Sequence, residues 1–155
     1  MNEEFSSVLN KALRFLSFRP RSKYEILAYL DKKGAGEELK NKILEKLKKL
    51  KFIDDEGFAR WWLEGRTTTS PRSIRVIKFE LKQKGVSPEI IDKVVEGFSC
   101  TDEFVSAQRV AEKKLRKLGN LTELEIKRKL FQALSSRGFS YEVAKEVIDK
   151  LLKKE

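Results

Sequence analysis

Residues 71–95 read PRSIRVIKFELKQKGVSPEIIDKVV, and this stretch decides the fold because it predicts two helices joined by a glycine turn. Ser70 is a candidate N-cap, and Pro71 suits a first helical turn, where its missing N–H costs nothing. Gly85 lies where the first helix must stop with φ > 0, and the serine–proline pair that follows opens the second helix.

The spacing of residues along the first of these helices separates an apolar face from a basic face. At 100° per residue, Ile74, Ile77 and Leu81 share one face. The opposite face carries the cations Arg72, Arg75, Lys78 and Lys82. Phe79 falls within the basic arc, and we expect it to pack between units of the chain. The pattern indicates one side for burial and one side for a negatively charged partner.

The helix–glycine–helix pattern occurs three times, with Gly34, Gly85 and Gly138 at spacings of 51 and 53 residues. Before each glycine two apolar positions recur in phase: Ile26 and Leu30, Ile77 and Leu81, Leu130 and Leu134. After each glycine three more recur: Leu39, Ile43 and Leu44; Ile90, Val94 and Val95; Val143, Val147 and Ile148. A further amphipathic helix begins each unit. We therefore predict an all-α fold of three tandem three-helix repeats, 1–53, 54–99 and 100–155, in a modular, elongated and curved body.

Local signals place further helix boundaries. Ser22 and Glu25 form a capping-box pattern, which predicts the start of the second helix. Residues 65–70 include three successive threonines and few helix formers, so they predict a loop. Residues 119–122 predict a similar break between helices in the third repeat.

The composition favours a binding protein over an enzyme. The 155 residues include 34 basic and 24 acidic side chains, and the net charge of +10 suits a nucleic acid or another polyanion. Histidine is absent and cysteine occurs once, which excludes histidine-based catalysis, the usual zinc sites and an internal disulfide. Phosphate-binding glycine loops are also missing. We expect no enzymatic activity, no cofactor and no metal, and we interpret the acidic residues 54–56 as a helix N-terminus.

The N-terminal residues do not have the pattern of a signal peptide, and no apolar run is long enough to cross a bilayer. The sequence therefore predicts a soluble cytoplasmic protein without a membrane partner.

Basic residues concentrate in the second repeat, where seven basic and only two acidic residues occur between Arg60 and Lys84. An ordinary solvated helix face is the alternative interpretation of this pattern, and both stay open. A smaller basic cluster follows on the equivalent helix of the third repeat. The predicted binding residues are Arg60, Arg66, Arg72, Arg75, Lys78, Lys82, Lys84, Lys127 and Arg128.

Several segments resemble successive signatures of the RecX family of bacterial recombination regulators. They are ALRFL at 12–16, RPRSKYEI at 19–26, FIDDEGFA at 52–59, and the stretch from PRSI at 71–74 to KGV at 84–86. The resemblance covers nearly the whole chain, and Ser70 stands where the family has a glycine. It implies a non-enzymatic modulator of the RecA recombinase that lies in the groove of the RecA–single-stranded DNA filament and inhibits its ATPase and strand exchange.

Two binding functions remain open. The first is a monomeric regulator of the RecA filament that acts through the basic residues and binds single-stranded and double-stranded DNA weakly, with strong salt dependence. The alternative is a free-standing helical DNA-binding protein that acts without RecA. The alternative is disfavoured because Gln83 is the one base-reading amide near the basic arc.

Overall fold

The computed structural model describes residues 3–69, 71–98 and 100–153, apart from the side chains of residues 100 and 101. Within these residues the chain is all-α, which confirms the predicted fold class. The helices are α1 (Glu3–Phe18), α2 (Lys23–Lys32), α3 (Glu37–Lys49), α4 (Asp55–Thr68), α5 (Ile74–Gln83), α6 (Pro88–Val95), α7 (Cys100–Lys117), α8 (Glu123–Ser136) and α9 (Tyr141–Leu152). None of these described helices is both long enough and apolar enough to span a lipid bilayer.

The three repeated glycines end α2, α5 and α8 as predicted. Their φ angles are +79° at Gly34, +78° at Gly85 and +90° at Gly138. This left-handed region carries no Cβ penalty for glycine, so each helix can stop and reverse at the same point of the pattern.

The apolar positions that recur before these glycines form the core. All six are fully buried: Ile26, Leu30, Ile77, Leu81, Leu130 and Leu134. Among the positions after the glycines, five are buried: Ile43, Val94, Val95, Val147 and Ile148. The remaining four are half-buried: Leu39, Leu44, Ile90 and Val143. Each fully buried aliphatic side chain stabilises the fold by about 1.5–3 kcal/mol, so the repeated phase encodes the core.

Side-chain caps begin several of the helices. Ser22 Oγ accepts the N–H of Glu25, and the Glu25 carboxylate accepts the N–H of Ser22, both at 3.1 Å, which confirms the predicted capping box. Thr122 and Glu125 form a second capping box at the start of α8. The Ser87 hydroxyl caps α6, as the serine–proline pair predicts.

The predicted loop at residues 65–70 is wrong as far as Thr68, because α4 continues to that residue. The Thr67 hydroxyl donates to the carbonyl of Leu63 at 2.9 Å, and the Thr68 hydroxyl donates to the carbonyl of Glu64 at 2.7 Å. These bonds satisfy the threonine hydroxyls inside the helix, so the polar run does not end it.

Helix α5 begins later than the sequence predicts. It starts at Ile74, so Pro71 precedes the helix instead of lying in its first turn. The hydroxyl of Ser73 accepts the N–H of Val76 at 3.3 Å and provides the cap. The predicted cap, Ser70, lies outside the described residues.

The internal contacts divide the chain into two compact units. Unit 1 consists of Met1–Trp62 with Leu81–Val94, and unit 2 of Leu63–Glu80 with Val95–Glu155. One buried cluster, in unit 1, contains Val8, Ala12, Ile26, Leu30, Ile43 and Leu47. Another, in unit 2, contains Ala107, Val110, Ala111, Leu130, Leu134, Phe139, Ala144, Val147 and Ile148. This division differs from the three predicted repeats, whose boundaries remain a prediction.

Candidate functional site

Within unit 2, the N-terminus of α5 is anchored by α7 and by the turn between α8 and α9. The Ser73 N–H donates to the carbonyl of Arg137 at 3.1 Å, and the Ile74 N–H donates to the carboxylate of Glu103 at 2.7 Å. Gly138 lies so close to this end that a Cβ there would be 2.6 Å from Ser73 Oγ. Backbone groups that a helix start leaves without partners are thereby satisfied, and the direction of α5 is fixed.

Helix α5 presents three exposed cations, Arg75, Lys78 and Lys82. Arg75 Nη2 donates to the carbonyl of Gly138 at 3.3 Å, which orients the guanidinium and leaves its other donors for a partner. None of the three cations forms an ion pair with another described residue. Cations without an internal counter-ion attract an external anion, and the binding role of this face stays a prediction.

Phe79 lies among these cations, and 59% of its surface is exposed. The expectation that it packs between units is wrong, because most of the ring faces solvent. An exposed aromatic ring with cations around it can pack against an apolar group or a base of a partner.

Two predicted binding residues on α4 are engaged in ion pairs. Arg66 Nε contacts Glu80 at 3.2 Å, and both side chains are half-buried. Arg60 contacts Glu56 at 3.1 Å, one turn earlier on the helix. Hydrogen bonds from Lys93 and from Arg60 hold the pKa of Glu56 below its ordinary value. A partner that binds either arginine must compete with these carboxylates.

The acidic run at the start of α4 serves the local structure. Asp54 accepts the N–H of Gly57 at 2.9 Å, as expected for a residue that caps a helix. Asp55 accepts the N–H of Lys23 at 2.8 Å and so contacts the start of α2. Among the described side chains, no group of carboxylates and thiols converges as metal ligands would.

Lys84 belongs to a partly buried ion cluster in unit 1. Its Nζ contacts Glu25 at 3.3 Å and lies 5.4 Å from the centre of the Trp62 ring, while Arg19 contacts the same carboxylate at 2.6 Å. Burial opposes the ionisation of Glu25, but hydrogen bonds from Arg19, the Ser22 N–H and Lys84 outweigh it and hold the pKa of Glu25 below its ordinary value. The predicted binding role of Lys84 would compete with these contacts.

Of the remaining three predicted residues, Arg72 is half-buried and precedes α5 instead of lying on it, and the other two lie on α8. Lys127 contacts Glu123 at 3.4 Å, whereas Arg128 is exposed beside a cleft of about 540 Å³. Phe131 and Tyr141 line this cleft with rings stacked at 5.6 Å. Arg128 is therefore the more available of the two cations.

A second basic surface lies within unit 2, and only Lys129 and Arg137 of its cations belong to the smaller basic cluster that the sequence indicates. The α7–α8 groove has a volume of about 810 Å³ and is formed by α7, α8, the last residue of α4 and the segment that follows it. Seven basic residues and no acidic residue of the described chain line it: Arg109, Lys113, Lys114, Arg116, Lys117, Lys129 and Arg137. The recurrence of cations at every fourth position of α7 could have revealed one wall. No comparable sequence pattern predicts that the end of α4 and α8 both line this groove.

Family models of three RecX three-helix domains match the chain in order. The first matches residues 9–47, the second residues 54–95 and the third residues 101–148. The regulatory protein RecX of Lactobacillus johnsonii is 32% identical over 149 residues, covering 96% of this chain and 55% of that protein. The regulatory protein RecX of Bacillus licheniformis is 38% identical over 133 residues, covering 86% and 51%. The chain thus spans about half the length of the curated relatives it matches.

Solved structures share the fold along nearly the whole chain. A crystal structure of a regulatory protein RecX superposes with a TM-score of 0.77 at 26% identity, covering 95% of this chain and 74% of that chain. The crystal structure of RecX from Lactobacillus salivarius gives 0.76 at 25% identity, covering 97% and 98%. Because all three domain models match in sequence order and the fold agrees with that of solved members, this chain belongs to the RecX family of regulatory proteins.

Proposed function

We propose that this protein binds the RecA–single-stranded DNA filament and inhibits the ATPase, strand exchange or extension of RecA. The relatives are named regulatory proteins, which supports a regulatory role over a catalytic one. The resemblance to a family of recombination regulators supplies the filament as the target. The protein then acts in the cytoplasm as a monomer.

The observation that carries the proposal is the surface of α5. Lys78 and Lys82 are exposed without a described counter-ion, and the exposed ring of Phe79 lies among them. DNA phosphates and acidic patches of a protein filament both attract such a face, and the attraction weakens as salt screens it. Phe79 adds the aromatic contact area that often dominates the affinity of a protein interface.

A free-standing DNA-binding function is the alternative. Sequence-specific reading of the major groove relies on side chains that form paired hydrogen bonds with base edges, including asparagine or glutamine with adenine. Gln83 is the one amide side chain on α5, at its last residue. The α5 surface therefore supports attraction to a polyanion more than the reading of a base sequence.

The test is ATP hydrolysis by the cognate RecA on single-stranded DNA with substoichiometric amounts of this protein. We compare the wild type with Lys78→Glu/Lys82→Glu, because neither lysine side chain has a described internal partner. Lys11→Glu/Lys48→Glu is the control, since it makes the same change in charge at exposed positions of α1 and α3.

We expect the wild type and the control to inhibit RecA and the α5 variant to lose inhibition. An α5 variant that inhibits like the wild type would exclude this face from the contact. A wild type that leaves RecA unaffected and binds DNA tightly by itself would favour the free-standing alternative.

A further inference from the structure

The walls of the α7–α8 groove carry one sign of charge. Lys113, Lys117 and Lys129 are exposed there, and none of them forms an ion pair with another described residue. Neutral polar side chains accompany the cations: Thr68, Thr69, Gln132 and Ser136. A groove with many cations and without a carboxylate among the described residues attracts a polyanion, because its low-dielectric walls focus the positive potential.

The cations of α7 are spaced along one direction. Arg109, Lys113 and Lys117 follow each other at intervals of four residues, so they lie close to one face of the helix. With a rise of about 1.5 Å per residue, the row is about 12 Å long. A stacked nucleic-acid strand carries one phosphate per about 3.4 Å, so the row spans roughly three to four spacings between consecutive phosphates.

The lining favours a sugar–phosphate backbone over an acidic protein surface. Protein interfaces are enriched in aromatic residues at their buried centre, whereas the apolar residues of this groove are Pro71, Val110 and Ala133. The hydroxyls of Thr68 and Ser136 donate to carbonyls of their own helices. Thr69 and Gln132 are therefore the neutral lining residues that can donate to phosphate oxygens. Such contacts fix a strand in place without reading its sequence. None of the described residues that line the groove is aromatic, so bases find no stacking platform there.

Arg137 contributes a half-buried guanidinium to the groove. Its Nη1 donates to the carbonyl of Pro71 at 3.5 Å. Burial and the nearby charge of Arg72 lower the pKa of Arg137. A phosphate at this position would stabilise both guanidinium groups, since an anion offsets the repulsion between like charges.

We propose that the α7–α8 groove binds the sugar–phosphate backbone of a nucleic-acid strand without sequence preference. The assignment deepens the proposed function, on which it rests for its biological target. In this assignment the groove contacts DNA and the cations of α5 contact RecA.

The test is direct binding, without RecA, to a fluorescein-labelled oligothymidylate strand and to a labelled duplex, followed by fluorescence anisotropy over a range of salt concentrations. Lys113→Gln/Lys117→Gln removes two groove cations. Each lost phosphate contact reduces the slope of log affinity against log salt by about 0.7 for a single strand. Two lost contacts reduce this slope by about 1.4, which corresponds to about 25-fold weaker binding at about 0.1 M salt.

The control, Lys11→Gln/Lys48→Gln, removes the same charge from positions that do not line the groove, and we expect it to bind like the wild type. Circular dichroism of both variants should match the wild type, because all four lysines are exposed. Weaker binding of one probe alone supports the groove and identifies whether it holds a single strand or a duplex.

Unchanged affinity and salt slope in the groove variant would overturn the proposal. Lost inhibition of RecA with unchanged binding to both probes would assign the groove to an acidic protein surface and would also overturn it. A separate result tests the proposed function. A wild-type protein that does not affect RecA would refute the filament as the target. In that case, loss of DNA binding in the groove variant would still support the groove as a DNA-binding site.

Discussion

Replacing Gly138 by alanine tests the contact between the α8–α9 turn and the start of α5. Gly138 has φ +90°, and a left-handed residue with a side chain costs about 1–2 kcal/mol. The new Cβ would also lie 2.2 Å from Val76 Cγ2 and 2.6 Å from Ser73 Oγ, well inside the usual separation of about 3.5–4.0 Å. Overpacking of this kind costs about 1–3 kcal/mol, so we expect a total destabilisation of about 2–5 kcal/mol.

Gly34→Ala is the matched control. Gly34 has φ +79°, but no described heavy atom lies within 4 Å of the position of its Cβ. Only the backbone cost applies, so we expect about 1–2 kcal/mol. The difference between the two variants isolates the close contact at α5.

The assay is urea unfolding of the wild type and both variants, followed by far-ultraviolet circular dichroism. The free energy of unfolding is compared at equal m-values, so that a change in midpoint reports a change in stability. Equal losses in Gly34→Ala and Gly138→Ala would refute the argument, because they would show that the turn does not press on α5.

Two further predictions concern unit 1 and the helix caps. The folded-state pKa of Glu25 is lowered, so its ion cluster stabilises the protein above the unfolded value of about 4.3 and loses this effect as pH falls through the folded value. Glu25→Gln should therefore lower the free energy of unfolding by about 2 kcal/mol at neutral pH and by progressively less in acid. Urea unfolding of both proteins over a pH series measures this loss. A loss that stays constant with pH would contradict the link between the pKa of Glu25 and stability. Ser22→Ala should cost about 2–4 kcal/mol, because the buried hydroxyl caps α2 and donates to the Lys84 carbonyl at 2.7 Å. Thr122→Ala removes an exposed cap alone and should cost about 1 kcal/mol by the same assay, so equal costs would exclude a role for the Lys84 contact.

The fold class was predictable because burial repeats in the sequence with the period of a helix. Ile26, Ile77 and Leu130 occupy the same phase of the pattern, and each is fully buried. Helix limits were less predictable, because they depend on bonds that propensities do not encode. The Thr67 hydroxyl, for example, bonds to a carbonyl of the preceding turn and allows α4 to continue.

The exposure of Arg75 and Lys78 followed from the position of each residue on the helical wheel, and the structure shows both exposed. The partner of Arg66 did not follow, because Glu80 lies on another helix and the ion pair forms only when α4 and α5 approach. The groove had the same difficulty. The spacing of cations along α7 predicts one wall of the groove, but Arg137 lines the groove only because of the tertiary fold.

The contacts of Ser22 and Arg137 have a consequence for synthesis on the ribosome. Ser22 bonds to the Lys84 carbonyl across 62 positions, and Arg137 bonds to the Pro71 carbonyl across 66. At about 5–20 residues per second, the partner of Ser22 is translated roughly 3–12 s after it. During synthesis the Ser22 hydroxyl and the Pro71 carbonyl therefore lack these partners until the later turn has been translated.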